Sequence, residues 1–155
     1  MVRARSLTSR GVLFCSLLLL AAGCARQGAV SGLRPAHGVA PMLVVERFLN
    51  AANSTDLETM ALLFGTRDGS ILKRDPRAEV EARMYALASI LRHKNYQLEG
   101  EGIVPGRLGE AVRLVIRLEL EDRQVSVPFV VVQTRKDGWL IEQIGIERIT
   151  GGKAI

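Results

Sequence analysis

Between residues 111 and 120 every second side chain is apolar, and this alternation constrains the fold more than any other feature of the chain. The alternating apolar residues are Val112, Leu114, Ile116, Leu118 and Leu120. Successive side chains of a strand point to opposite faces of the sheet, so a period of two is typical of a strand with one buried and one solvated face. The segment therefore predicts a sheet that packs one face against a core.

The same period appears in the neighbouring segments. Four strands are predicted, at residues 96–104, 111–120, 125–134 and 139–149. Turn residues at 121–124 and 136–138 separate the last three strands, which predicts an antiparallel meander. Pro128 has no amide hydrogen to donate inside the third of these strands, so we expect a bulge or a sheet edge there. A bulge would also curve the sheet.

Apolar residues before position 95 have helical spacing instead. Three helices are predicted, at residues 41–53, 57–64 and 76–93. Pro41 suits a first helical turn, and Thr55 begins a Thr-Asp-Leu-Glu capping box for the second helix, which Gly65 would end. Asp75 precedes Pro76 and is the predicted N-cap of the third helix. N-terminal helices packed on a curved antiparallel meander make this an α+β domain of residues 41–150.

The first 24 residues are predicted to direct the chain rather than to fold with it. Positive charges at Arg3, Arg5 and Arg10 precede an apolar run at residues 11–22. This run is too short to cross a hydrocarbon core of about 30 Å, so residues 1–23 are interpreted as a signal peptide. The ending Leu-Leu-Leu-Leu-Ala-Ala-Gly-Cys at residues 17–24 resembles the lipobox of bacterial lipoproteins.

The lipobox resemblance implies that Cys24 is lipidated and becomes the first residue of the mature chain. An ordinary secretory leader with a chance cysteine is the alternative, and Ala21 departs from the leucine that the family most often has there. Ala25 is not the aspartate that favours inner-membrane retention, so the resemblance implies an outer-membrane lipoprotein facing the periplasm in a bacterium with two membranes. Cys15 would leave with the leader, so no disulfide is expected.

The formal net charge of +5 is misleading, because the basic excess lies outside the domain. Residues 41–155 hold 16 Lys or Arg and 16 Asp or Glu. A balanced surface does not supply the basic stripe that non-specific nucleic-acid binding requires, so that class of partner is excluded. Residues 24–40 have no helical or strand period, and they are interpreted as a flexible tether that includes His37.

The order of helices and strands resembles the nuclear-transport-factor-2-like superfamily of cone-shaped α+β domains. Three local likenesses support it: FLNAANSTDLETMALLF at residues 48–64, GSI at 69–71 as a short first strand, and DGWLIEQI at 137–144. The superfamily contains isomerases, dehydratases, ligand binders and scaffold lipoproteins, so the resemblance leaves the function open. Its catalytic members place a carboxylate base on the concave side of the sheet.

Four residues are candidates for lining a cavity between the helix at 76–93 and the sheet: Tyr85, His93, Tyr96 and Glu142. A tyrosine and a histidine could donate and carry protons there, and a buried Glu142 could act as a base. Packing at the edge of the core is the alternative interpretation of the tyrosines and the histidine, and an ordinary solvated strand position is that of Glu142. The domain has one histidine and no metal-ligand spacing, so neither a metal nor another cofactor is expected.

The sequence therefore favours a non-catalytic envelope lipoprotein with a scaffold, assembly or small apolar-ligand role. A cone-fold isomerase or dehydratase-like enzyme is the alternative. The strand at residues 125–134 is apolar on both faces, so its second face needs cover. A homodimer or an envelope protein would cover it, unless the strand lies twisted beneath neighbours such as Trp139.

Overall fold

Helices come first along the chain and a four-stranded sheet follows, as the change of period predicts. The computed structural model describes residues 39–136 and 138–151. The predicted leader, Cys24, His37 and most of the tether lie outside the described residues. The helices are α1 (Val39–Ser54), α2 (Leu57–Leu63), α3 (Arg77–Ile90) and α4 (Glu147–Thr150). The strands are β1 (Gly65–Thr66), β2 (Gly69–Ser70), β3 (Asn95–Ile103), β4 (Ala111–Glu119), β5 (Gln124–Gln133) and β6 (Trp139–Ile144).

The four long strands form an antiparallel meander in the order β3-β4-β5-β6. The register is interrupted between Leu98 and Gly100 on β3, and again between β5 and β6 beside Val130. Such irregularities bend and twist a sheet. The separate pair β1 and β2 forms a small hairpin, so the predicted short strand at residues 69–71 exists as β2. The predicted α+β class, with N-terminal helices on a curved meander, is confirmed.

The apolar row of β4 is buried as predicted. Its members and the inward residues of β5 belong to the same buried cluster as the apolar faces of α1 and α3. This cluster includes Val45, Phe48, Leu49, Met84, Leu91, Leu114, Ile116, Leu118, Val127, Phe129 and Val131. Helices therefore cover one face of the sheet, here called the inner face, while the outer face carries no helix of comparable length.

The junction of α1 and α2 differs from the predicted capping box. Thr55 has a φ of 56°, a left-handed conformation, and its amide donates to Ala52 while the amide of Asp56 donates to Ala51. This pair of bonds is the Schellman motif that ends α1. Asp56, rather than the predicted Thr55, is the N-cap of α2, and its carboxylate accepts the amide of Thr59 at 3.0 Å.

Two further predicted helix signals have other roles. Asp75 does not cap α3, because Pro76 is the N-cap and the Asp75 carboxylate pairs with Arg74 and Arg83. These cations compete for the carboxylate, so the helix begins without a side-chain cap. Gly65 does not end α2 in a left-handed conformation but lies in β1, where a Cβ atom would be 2.3 Å from the Gly69 carbonyl oxygen.

The last strand is shorter than the predicted strand at residues 139–149. β6 ends at Ile144, and the backbone of Gly145 passes so close to the ring of Pro128 that a Cβ would lie 2.5 Å from its Cγ. The chain then forms α4 instead of continuing to residue 149. Pro128 itself lies on an interior strand, opposite Val115, so the predicted edge is wrong. The irregularity of β5 lies two residues further on, between Val130 and Val131 on the β6 side, rather than at Pro128.

Pro128 is tolerated in an interior strand because of the side on which its nitrogen lies. Its carbonyl accepts the amide of Gly145 at 2.8 Å, just beyond the end of β6. The N–H and C=O of one strand residue point to the same neighbour, so the missing donor of Pro128 faces the end of β6 rather than β4. The ladder between β4 and β5 therefore stays complete.

Candidate functional site

The predicted site residue His93 is held by structural hydrogen bonds on both ring nitrogens. α3 ends at Ile90, three residues before the predicted end, so His93 lies in the link to β3 and is only 8% exposed. Its Nδ1 lies 2.8 Å from the Leu91 carbonyl oxygen, and its Nε2 lies 3.4 Å from Nδ2 of Asn53. A carbonyl only accepts, so Nδ1 donates and Nε2 is the acceptor. Neither nitrogen is directed at an open site.

Asn53 also bonds to the backbone of the same histidine. Its Oδ1 accepts the His93 amide at 3.1 Å, and its Nδ2 donates to the His93 carbonyl at 3.0 Å. Because Asn53 is on α1, these bonds connect that helix to the chain entering β3. This arrangement fixes the position of the imidazole rather than leaving it free to move protons.

Tyr96, the second predicted residue, packs beside this histidine. The two rings meet edge to face with centroids 5.6 Å apart. Burial raises the pKa of the Tyr96 phenol, and the nearby Glu46 carboxylate on α1 raises it further. The phenol therefore stays protonated at neutral pH. His93 and Tyr96 are brought together, as an anchor between α1 and β3.

The other two predicted residues lie elsewhere. Tyr85 is 60% exposed on α3. Glu142 is on β6, the opposite edge strand from β3, and three strand spacings amount to about 14 Å. Its carboxylate forms a two-pronged ion pair with Arg107, at 2.5 Å and 3.3 Å. The structure does not bring the four residues to one place.

The space between α3 and the sheet is filled by side chains. Met84 and Leu91 from the helix side and Leu114, Ile116 and Leu118 from β4 are all fully buried. A cavity large enough for a water molecule would leave part of its lining accessible. The described residues therefore leave no room there for a substrate or an apolar ligand against these side chains.

Within residues 39–136 and 138–151, no group of three or more His, Cys, Asp or Glu side chains is arranged to hold a metal ion. The helices of that part also lack the combination of length and hydropathy that a membrane span requires. A groove of about 390 Å³ lies between α2 and α3, with Leu57, Ala61 and Val80 below and Asp56 and Arg77 at the rim. It contains no sheet residue and is separate from the predicted cavity.

A second groove, of about 350 Å³, lies on the outer face of the sheet. Its floor is made by half-buried Val115, Pro128 and Val130 on the paired strands β4 and β5. Exposed polar side chains surround the floor: Arg113, Ser126, Gln143, Glu147 and Arg148. We call this surface the outer groove.

The outer apolar face of β5 is covered along one half of the strand and partly exposed along the other. Near its end, Val132 is fully buried, and its register neighbours Ala111 and Leu140 are almost so. Within the outer groove, by contrast, Pro128 and Val130 remain partly open to solvent. Twist and neighbouring residues cover one half of the outer face of β5, and the other half is uncovered in the isolated chain.

An ordered charge cluster lies beside the outer groove. The Glu99 carboxylate, at the irregular point of β3, interacts with the Ser126 hydroxyl and the Arg117 guanidinium. These two contacts lower the pKa of Glu99, the hydroxyl contributing most, so the carboxylate stays ionised in the folded state. The outer face thus presents fixed charges around an apolar floor.

Sequence reasoning missed Asn53, Glu46 and Arg107, the partners that determine what the predicted residues do. Each is far from its partner in sequence, and a single polar residue of this kind has no periodic signal. The apolar second face of β5 is the sequence signal that coincides with the outer groove, since Pro128 and Val130 of this strand form part of its floor.

No protein-family model matches the chain, and no curated protein matches it by sequence. Among solved structures, it is similar to an NTF-2-like protein of unknown function from Shewanella oneidensis, with 16% identity, 66% of this chain and 92% of that chain covered, and a TM-score of 0.43. It is also similar to the helical cell shape determining protein Pgp2 from Campylobacter jejuni, with 10% identity and a TM-score of 0.43. That match covers 65% of this chain and only 38% of the other.

A third similar structure is an LEH-like epoxide hydrolase from M. tuberculosis, with 19% identity and a TM-score of 0.32. The match covers 72% of this chain and 87% of that chain. Identities of this size carry no information about substrate or reaction.

Proposed function

We propose that this chain is a lipid-anchored protein of the bacterial envelope whose nuclear-transport-factor-2-like domain is non-catalytic and acts in assembly. The main support for a non-catalytic domain is the filled core between α3 and the sheet. A cone-fold enzyme or an apolar-ligand binder needs an open interior, and the residues that would line it are packed together. The support for a lipid anchor is the sequence at residues 17–24.

The hydrogen bonds and the ion pair of the candidate residues also support a non-catalytic domain. A general acid or base must reach the proton it transfers, directly or through one water molecule. His93 is bonded on both nitrogens, and Glu142 is neutralised by Arg107. Tyr85 is exposed on α3, and the structure does not bring the other candidate residues together with it. The isomerase or dehydratase-like alternative therefore has no convergent set of groups.

For the assembly role, we infer that the outer groove binds a second copy of the chain. Its apolar floor is uncovered, and its rim carries both signs of charge on α4, with Glu147 next to Arg148. A two-fold contact places the same surface on both partners, so a rim with both signs can pair with itself. Apolar burial would supply the affinity and the rim charges would set the orientation.

The anchor is tested by intact-mass analysis of the chain extracted from bacterial membranes. We expect a mature chain that begins at Cys24 and carries acyl groups, because several acyl chains make attachment effectively stable. Cys24→Ala should lose both the modification and membrane retention. Cys15→Ala is the matched control and should be processed like the parent. A chain that retains its first 23 residues in the soluble fraction would refute the anchor.

The assembly role is tested by thiol crosslinking of the full chain in membranes. Ser126→Cys puts a thiol in the outer groove, and Ser89→Cys puts one on exposed α3. We expect crosslinked dimers from position 126 and monomers from position 89. Arg148→Glu, combined with Ser126→Cys, should reduce the crosslinked fraction. Equal crosslinking at the two positions, or none at 126, would contradict a dimer through this groove.

A further inference from the structure

The turn between β3 and β4 has a defined backbone conformation. The carbonyl of Val104 accepts the amide of Arg107 at 3.0 Å, and the carbonyl of Arg107 accepts the amides of Glu110 and Ala111 at 3.1 Å. Gly106 and Gly109 have φ values of 74° and 79°, as these two consecutive turns require. We call residues 103–109 the hairpin tip. Its side chains are presented on a hydrogen-bonded frame.

The hairpin tip exposes aliphatic side chains and no free charge. Leu108 is 79% exposed and Ile103 is 69% exposed, the two highest values among the large apolar residues described. Arg107 is the one charged residue in Ile-Val-Pro-Gly-Arg-Leu-Gly, and its guanidinium is bonded to Glu142. An apolar medium could therefore receive this tip without also receiving an unpaired ion.

Charged residues, rather than an apolar surface, surround the tip, among them exposed Glu101 on β3. Glu110 pairs with Arg67 at 2.6 Å, and Asp68 on the adjacent β1-β2 turn pairs with Arg135 at 3.4 Å. A stable protein interface buries about 800 Å² on each partner around an apolar centre. Two aliphatic side chains within a charged collar are too small for that. Two exposed aliphatic side chains are instead sufficient for shallow insertion among lipid headgroups.

We propose that the hairpin tip inserts Ile103 and Leu108 into the lipid surface that holds the Cys24 acyl chains. This inference rests on the proposed anchor, because the anchor supplies the proximity. Between Cys24 and the start of α1 at Val39 there are 14 residues, which span at most about 50 Å. Tethering at such a distance raises the effective concentration at the bilayer into the millimolar range, so weak insertion is sufficient.

The test uses the full chain, purified from membranes in detergent and reconstituted into phosphatidylethanolamine and phosphatidylglycerol vesicles. Leu108→Cys carries a bimane fluorophore, and spin-labelled lipid in the vesicles quenches it on contact. Leu62→Cys is the matched control, because Leu62 is also exposed but lies on α2. We expect strong quenching at position 108 and weak quenching at position 62.

A second variant tests whether the apolar side chain causes the insertion. Burial of one large aliphatic side chain changes a partition equilibrium roughly tenfold or more. Ile103→Asp in the Leu108→Cys background should therefore lower the partition constant of the tip, calculated from the quenching, by that factor. Equal quenching at positions 108 and 62, or quenching that Ile103→Asp leaves unchanged, would overturn the proposal. The proposal would also be overturned if lipid quenching at position 108 were lost because a bound protein covers the tip.

Intact mass of the same samples separates this inference from the proposed anchor. An acylated Cys24 with no preferential quenching at 108 removes the insertion and leaves the anchor in place. If Cys24 is not acylated, the proposed anchor is wrong. The labelled chain is then mixed with the same vesicles to test insertion of the tip alone. Preferential quenching at 108 would still support insertion of the tip, and its absence would remove it.

Discussion

The side chain of Asn53 bonds to both backbone polar groups of His93, at 3.1 Å and 3.0 Å, and thereby joins the end of α1 to the start of β3. Asn53→Ala removes both bonds and leaves a largely buried amide without its acceptor. We expect a loss of about 2–3 kcal/mol in the free energy of unfolding, measured by urea denaturation. Asn50→Ala, one turn earlier and exposed, should change it by less than about 0.5 kcal/mol. A loss of equal size in the two variants would show that the Asn53 bonds are unimportant.

Thr55 should become more favourable as glycine. A β-branched residue in the left-handed conformation is strained, and the Schellman position at the end of a helix favours glycine. We expect Thr55→Gly to stabilise the chain by about 0.5–1 kcal/mol after the added entropy of the unfolded glycine is included. Thr59→Gly should destabilise it instead, because the Thr59 hydroxyl donates to Asp56 at 2.6 Å. The measurement is the thermal midpoint; a lower midpoint for Thr55→Gly would contradict the strain.

Two glycine substitutions should differ in sign. Gly65→Ala places a methyl group against the Gly69 backbone, which has no side chain that could move aside, and should cost about 1–3 kcal/mol. At Gly100 a Cβ would meet nothing within 4 Å, so Gly100→Ala should be neutral or stabilise by up to about 1 kcal/mol. Urea denaturation of the pair decides it. Equal effects would mean that β1 and β2 are not packed as closely as described.

Acid should weaken the fold partly through Glu99. The folded-state pKa of this carboxylate is lowered, so the unfolded chain binds the proton more readily and stability falls as pH drops below the ordinary value of 4.5. The contribution is fully present at neutral pH. Glu99→Gln should flatten the dependence of the urea midpoint on pH below about 5. Ser126→Ala, which removes the hydroxyl, should flatten it in part. Parallel curves for all three proteins would contradict the assignment.

The filled interior makes a prediction about ligands and about packing. Leu114→Ala in the centre of the core should cost about 2–5 kcal/mol, since the surroundings relax only partly. Leu62→Ala on exposed α2 should have little effect. Thermal-shift measurements of the parent with apolar metabolites and lipids in detergent should show no increase in midpoint, because the described residues leave no site between α3 and the sheet that a ligand could stabilise by mass action. A specific increase would restore the ligand-binding interpretation.

Periodicity predicted the fold well because it reports burial directly. The alternation at residues 112–118 identified β4 and its buried face, and the helical spacing at residues 80–91 identified α3. Both patterns are repeated over many residues, so a single exception does not change the prediction.

Single-residue signals were less reliable because each can serve several partners. Asp75 is a common N-cap residue, but Arg74 and Arg83 engage its carboxylate. Gly65 was expected to end a helix, and instead it makes room for Gly69. The site residues failed to converge for the same reason, since Asn53 and Arg107 become neighbours of His93 and Glu142 only through the tertiary fold.

The irregular register at Glu99 has a consequence for behaviour at high concentration. β6 is partly covered by Phe64, which bridges to Ile141, whereas within the described part of the chain no long strand pairs with the far side of β3. An unpaired, regular strand of nine residues would template addition of further molecules and growth of filaments. The break between Leu98 and Gly100, with a charged carboxylate at its centre, interrupts that template. Molecules at high concentration are thereby hindered from joining edge to edge into open-ended stacks.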